Sequence, residues 1–335
     1  MSAILAAVAV VLFHLHGAQI SEASGIAHGV RSSDVYYVHN DSGDRARFFA
    51  IDRRTGANRA TYSVPGATNV DWEDIAVAPD SRGIPSIWIA DIGDNRRARR
   101  QVALYRVDEP NVPHSRGTTH TTTRAEVWRF RYPDGAHDAE ALLVEPTTHR
   151  AYIVTKTLSG TSEVYAVPPS ARGGQLQTLR RVASVRLPII VGGPRELAIT
   201  GGAIAPDGQR LVLRTYTDAY LWSLQRGDVI GAFRARPKAI ELPVQPQGEG
   251  ITVDGARIVI VSEGAGSAVH AVTVPPTRPT TSPTPWPTTA ADTKASSDSA
   301  TDYTIAYVIV GAVALVVLLG LTARAWVRRA SARRR

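Results

Sequence analysis

No cysteine occurs in the 335 residues. Disulfides, Cys-ligated zinc and a thiol nucleophile are therefore excluded. Lysine is nearly absent, so arginine supplies almost all the positive charge. No long stretch in the middle of the chain shows a 3.6-residue apolar period, which excludes a helical core there. The chain has no G-x-S-x-G nucleophile elbow, no glycine-rich phosphate loop and no HExxH helix. The net charge is +8, but Arg324, Arg328, Arg329, Arg333, Arg334 and Arg335 carry six of those charges, leaving two for the rest. A basic balance confined to a tail is no nucleic-acid footprint, and none is expected as a partner.

What is present begins with the ends. Residues 303–323 carry no charge and are mostly apolar, the length that crosses a hydrocarbon core of about 30 Å. Tyr303, Tyr307 and Trp326 lie where interfacial aromatics belong, and the arginine cluster follows at once. The expectation is a single-pass anchor in the cell membrane, with residues 324–335 cytoplasmic and the remainder extracellular. Residues 275–302, rich in Pro, Thr and Ser, read as an extended stalk. Residues 1–18 read as a signal peptide or a short hydrophobic N-terminal segment, because 3–13 is an apolar run of that length.

Residues 19–274 repeat. Five units open on a polar–small–aliphatic step: Ser24-Gly25-Ile26-Ala27, Glu73-Asp74-Ile75-Ala76, Glu140-Ala141-Leu142-Leu143, Gly202-Ala203-Ile204-Ala205 and Glu249-Gly250-Ile251-Thr252. A turn signal follows each, then β-rich runs such as VYYVHNDSG, SIWIADIGDN and RIVIVSEGAG. Val, Ile, Tyr, Trp and Thr in short runs, with Gly, Pro and Asp between them, are strand and turn chemistry. A unit of about fifty residues with about four strands is a propeller blade, since one such sheet cannot bury both faces alone. The predicted fold is all-β: a five-bladed β-propeller with one C-terminal transmembrane helix. The long spacing between the second and third units leaves a sixth blade open, and an irregular β-sandwich is the alternative.

The segments Asp71-Trp72-Glu73-Asp74-Ile75, Ile89-Ala90-Asp91-Ile92-Gly93-Asp94-Asn95 and Gly248-Glu249-Gly250-Ile251 resemble exported bacterial propellers of the phytase-like and gluconolactonase-like superfamily. The resemblance spans roughly residues 22–274. It implies a propeller fold, calcium in the central channel of some members, and hydrolysis of esters or lactones by others.

Strand logic places a site. The start of each blade's first strand and the end of its second meet at one channel mouth. There the first strands bring Glu73, Asp74, Glu140 and Glu249, and the second strands bring His39, Asn40, Asp41, Asp91, Asp94, Asn95, Lys156, Arg214, Asp218 and Glu263. Carboxylates and an amide are hard oxygen donors suited to calcium, and Glu73, Asp74, Asp91, Asp94, Asn95, Glu140 and Glu249 form the hypothetical ligand set. Clustered glutamates repel unless a cation compensates, and Lys156 or Arg214 is the in-chain alternative. His39 and Asp41 could form a general-base pair, so His39, Asp41, Lys156 and Arg214 are the catalytic candidates. Against this stands a purely structural reading, in which these polar groups cap turns. The basic run 96–100 either meets an anionic cell-wall polymer or is a solvated loop. Two functions follow: a surface platform that binds a polymer or a surface protein, or a calcium-dependent hydrolase of ester, lactone or phosphate substrates.

Overall fold

The computed structural model describes residues 8–188 and 194–274. The expected stalk and membrane span, and the arginine tail, lie outside the described residues. Among those residues no helix is long and apolar enough to cross a membrane.

The chain folds into five antiparallel sheets set around a ring. Strand β1 (Ala9–His14) opens the chain. The first blade follows with β2 (Ala23–His28), β3 (Val35–Asn40), β4 (Arg47–Asp52) and β5 (Asn58–Ser63). The second is β6 (Trp72–Pro79), β7 (Pro85–Asp91), β8 (Val102–Asp108) and β10 (Glu126–Arg131). The third is β11 (Ala139–Val144), β12 (Ala151–Thr155), β13 (Thr161–Ala166) and β15 (Arg180–Arg186). The fourth is β16 (Ile199–Ile204), β17 (Arg210–Thr215), β18 (Asp218–Ser223) and β19 (Lys238–Glu241). The fifth is β20 (Gly248–Asp254), β21 (Arg257–Ser262) and β22 (Ala268–Thr273). The extra length before the third blade is not a sixth blade. It carries β9 (Thr118–Thr121), which adds to β5 in parallel. The short β14 (Leu176–Thr178) likewise adds to β10.

The inner strands β2, β6, β11, β16 and β20 contact one another in a closed circuit. Burial falls from axis to rim, and the sequence follows it. Inner and second strands such as β11 and β3 are buried along their whole length and are mostly apolar, with Glu140, His39 and Asn40 as the buried polar exceptions. The outer strand β10 alternates Trp128 and Phe130 inward with Glu126, Arg129 and Arg131 outward, the period-2 pattern of a sheet with one wet face. Five apolar cores fill the five gaps between neighbouring blades. The Tyr37, Phe48, Trp72 and Ile89 core joins blades one and two, and the Trp88, Phe130, Leu142 and Ile153 core joins blades two and three.

Ring closure revises the expected start of the domain. Residues 9–14 pair antiparallel with β22, so the apolar N-terminal run supplies the fourth strand of the last blade. Phe13, Leu15 and Ile20 are buried in the seam with Tyr36, Phe49 and Val259. In this strand only Phe13 is buried and Leu12 half-buried, while Ala9, Val10 and Val11 are exposed, and its partner strand lies more than 250 residues later in the sequence.

The ring is tight at its axis. A Cβ at Gly25 would meet His39 Nε2 at 2.6 Å and Ile75 N at 2.8 Å, and one at Gly250 would meet Ser24 O at 2.7 Å. Glycine is needed at both places because neighbouring backbones approach too closely for a side chain. Farther along the axis a small cavity of about 20 Å³ lies among Ala27, Ile75, Val144, Ala203 and Thr252. At Gly25 and Gly250 the neighbouring inner strands are in close backbone contact.

Candidate metal centre at the channel mouth

One backbone device recurs in all five blades. The inner strand and its partner lose register near the first residues of the inner strand: at Ala23/Gly25, Trp72/Asp74, Ala139/Ala141, Ile199/Gly201 and Gly248/Ile251. The residues skipped are Ser24, Glu73, Glu140, Thr200 and the Glu249–Gly250 pair. A β-bulge re-aims the extra residue's side chain, and here it presents five polar residues at one mouth. Ser24 Oγ donates to Glu73 O at 2.8 Å, and Thr200 Oγ1 donates to Gly248 O at 3.0 Å. The three glutamates carry the charge. The fourth repeat is thus set by Thr200-Gly201-Gly202, two residues earlier than the expected Gly202-Ala203-Ile204.

Oxygens of Asp41, Asp71 and Glu73 lie within 4.8 Å of one another, and so do oxygens of Glu73, Asp138 and Glu140. Glu73 joins the two groups. Asp71 and Asp138 were missed by the sequence reading, although a signal was present: both stand two residues before a bulged glutamate, as Asp71-x-Glu73 and Asp138-x-Glu140. Gly93 makes room for the first pair, since a Cβ there would run into Glu73 Oε1 and the Asp71 carboxylate. Lys156 Nζ donates to Glu140 Oε1 and lies 5.4 Å from the centre of the Tyr216 ring. Glu140 Oε2 and Glu249 Oε2 are buried and accept no hydrogen bond.

Burial and mutual repulsion act together on these carboxyls. Desolvation, then the neighbouring Glu140 charge, raises Glu73 well above the usual carboxylate range. Desolvation, then Glu249, does the same to Glu140 against the pull of Lys156. Glu249 is pushed up to about 7, chiefly by burial, with Lys156 and Arg214 pulling it down. Asp71 is raised to about 6 by burial and by Asp41. Burial opposes the charge of Lys156, but Glu140 and Glu249 outweigh it and hold the ammonium well above its ordinary value.

The remaining expected residues have other work. Asp74 is fully buried and accepts from the amides of Ile75, Leu142 and Gly202, tying three blades together at the axis. Asp91 pairs with Arg99 at 2.7 Å and accepts from Asp71 N. Asp94 caps the following loop by accepting from Ala98 N and Arg99 N, and Asn95 is exposed. None of these four carboxamide or carboxylate groups joins the Asp41, Asp71, Glu73, Asp138 and Glu140 cluster. His39 and Asp41 do not pair. The buried His39 ring meets Asn40 O at 2.9 Å and stands edge-on to Trp72, and burial lowers it to about 4. Arg214 acts on Glu249 through its charge but, among the described residues, makes no ion pair with a mouth carboxylate. Its fully buried guanidinium donates to the carbonyls of Thr215, Gly250 and Val261 and to Gln245 Oε1, and burial lowers it to about 10. In the basic loop Arg99 turns inward to Gly93 O and Asp91, while Arg96, Arg97 and Arg100 face solvent.

The donor set passes the chemical test for a hard cation. It is all oxygen, mostly buried, convergent, and contains one acceptor, Glu140 Oε2, that no protein donor satisfies.

No protein-family model and no curated protein matches the chain. Solved structures with a similar outline include a gluconolactonase from Xanthomonas campestris, at 14% identity and a TM-score of 0.41, covering 80% of this chain and 90% of that one. A nidogen/laminin complex gives 12% identity and a TM-score of 0.39, covering 72% and 73%. The soluble aldose sugar dehydrogenase of Escherichia coli gives 10% and 0.38, covering 80% and 99%.

Proposed function

We propose that this protein holds a divalent cation, calcium by the hardness of its donors, at the channel mouth, and hydrolyses a neutral ester or lactone there. The observation that supports this reading is the convergence of Glu73, Asp138 and Glu140 with Asp41 and Asp71. A bound cation supplies Lewis acidity toward an acyl carbonyl and toward water. The chain's own residues do the rest. Asp71, Glu73, Asp138 and Glu140 hold the ion. Glu249, with its pKa near 7, is suited to take a proton from water at neutral pH. Lys156 keeps Glu140 oriented. The surplus of carboxylates disfavours a phosphate substrate and favours an uncharged acyl group. The exposed Arg96, Arg97 and Arg100 support a second role in holding an anionic cell-wall polymer near the mouth.

The uncharged segment 303–323 and the arginine tail support anchoring in the cell membrane with the propeller outside. Protease added to intact cells should then release the propeller, and complete protection would reverse that topology. The cation is tested by calorimetric titration of the full-length chain with calcium, alongside hydrolysis of aryl esters and lactones with and without chelator. One bound ion and chelator-sensitive turnover are expected. Glu249→Gln should retain the ion and lose turnover. Failure to bind any divalent cation would overturn the reading, and so would hydrolysis that ignores the chelator.

A further inference from the structure

We propose that the face of the ring opposite the acidic mouth carries a binding site for a phosphoryl group, built at the seam where β1 pairs with β22 to close the propeller. The strands set the location. Inner strands start at the acidic mouth, so β2 and β20 end on the opposite face, where β3, β5 and β21 begin. A cavity of about 660 Å³ lies there, between the first blade and the last. Arg53, Arg54, Arg59 and Arg257 line it against only two lining carboxylates, Asp34 and Asp52. Leu12 of the closing strand forms part of its wall.

The guanidiniums are held rather than loose. Asp254, almost fully buried, accepts from Arg53 at 2.6 Å, from Tyr36 Oη at 2.6 Å and from Arg257 at 3.3 Å. Arg53 and Tyr36 belong to the first blade and Asp254 and Arg257 to the last, so this network crosses the seam. Arg59 lies between Asp52 and Asp34, each 2.5 Å away. The side chains of Arg53 and Arg257 remain about a third exposed, and Arg54 is exposed. A guanidinium offers five donors in a planar fork, and Arg53 and Arg257 each use only part of that set on Asp254. What remains faces a concave, net-positive basin, the arrangement that recognises phosphate oxygens in pairs. The acidic mouth could not accept such a ligand. The ligand would bridge Arg53 and Arg54 of one blade to Arg257 of another, so binding should also stabilise closure.

The last described strand, β22, ends beside this basin. Thr273 pairs with Arg257, and Val274 N donates to Ala256 O at 3.0 Å. A soluble phosphomonoester and a lipid phosphodiester headgroup are therefore both sterically open sources. The test uses the full-length chain, titrated with inorganic phosphate and with glycerophosphoglycerol at matched ionic strength, and followed by calorimetry and thermal melting. Saturable binding with a raised Tm is expected. Arg54→Ala and Arg257→Ala should each weaken it about tenfold. Arg54 takes no part in the Asp254 network, so its variant keeps the test valid if Arg257→Ala folds poorly. Preference for inorganic phosphate assigns a soluble phosphomonoester, and equal or tighter binding of the diester assigns a lipid headgroup. No binding beyond that of chloride, or binding unchanged in Arg54→Ala, overturns the proposal.

Discussion

Replacing Glu249 by glutamine should make the chelated protein more stable at pH 8 and leave it nearly unchanged at pH 4.5. The carboxyl of Glu249 is raised from 4.5 to about 7, mainly because its charged form is desolvated. A raised carboxyl favours the folded state while protonated. Its contribution is full below the unfolded value of 4.5 and is lost as pH rises through about 7. Glutamine resembles the protonated acid and keeps that contribution at every pH. The difference between the two pKa values corresponds to about 3 kcal/mol, or about 6 °C in Tm for a domain of this size. Wild type alone would not show it cleanly. Neutral His39, lowered to about 4 by burial, gains stability as pH rises from about 4 to 6.5 and runs against Glu249 in that window. Both proteins contain His39, so its effect cancels in their difference. The assay is thermal unfolding of the full-length chain and its Glu249→Gln variant in chelator, at half-unit steps from pH 4.5 to 8. Calcium should compress the pH dependence of the difference, because a nearby cation favours the carboxylate. A difference that stays flat across the range in chelator would refute the claim that Glu249 is a desolvated, repelled carboxyl.

Three further outcomes test the architecture of the mouth and the ring. Gly93→Ala forces a methyl into the space of Glu73 Oε1 and the Asp71 carboxylate; calcium affinity by calorimetry should fall about tenfold or more while circular dichroism stays unchanged. Arg214→Leu strands the carbonyls of Gly250 and Val261, and urea unfolding should show a loss of about 3 kcal/mol or more; a loss below about 1 kcal/mol would show that these bonds are not needed to hold β17 against β20. A chain beginning at Gln19 lacks β1 and exposes the edge of β22. It should melt earlier than the full chain and aggregate through that edge, as seen by light scattering, and equal melting would mean that the ring closes without its N-terminal strand.

The sequence disclosed most of the fold because each blade states its own strands. VYYVHN and AEALLV are buried along their length and mostly apolar, with their polar residues His39, Asn40 and Glu140 at the mouth end, and EVWRFR alternates where one face is wet. It disclosed less of the closure and of the site, since both depend on backbone geometry between distant residues. The apolar run at 9–14 becomes a strand only through its pairing with residues 268–273. The fourth repeat was placed two residues late because the bulge, rather than the aliphatic step, defines the repeat. Arg214 was expected at the mouth because its strand ends there, but its guanidinium turns into the interior toward three carbonyls.

The bulges also explain why acids gather at all. A five-bladed ring is so tight that glycine is required where its inner strands touch at Gly25 and Gly250. The bulged residue at the start of each inner strand is therefore where side chains can enter the axis from solvent. Three of those five positions carry glutamate, with an aspartate two residues before two of them, and the ring brings oxygens of Glu73 and Glu140 together with those of Asp41, Asp71 and Asp138 in two groups that share Glu73. Lys156 can satisfy one oxygen of Glu140 but not Glu140 Oε2 or Glu249 Oε2. A larger basic side chain at Ser24 or Thr200 could have neutralised the cluster from within the ring. The small hydroxyls found there instead bond to neighbouring backbone carbonyls and leave the centre open for a cation from solution.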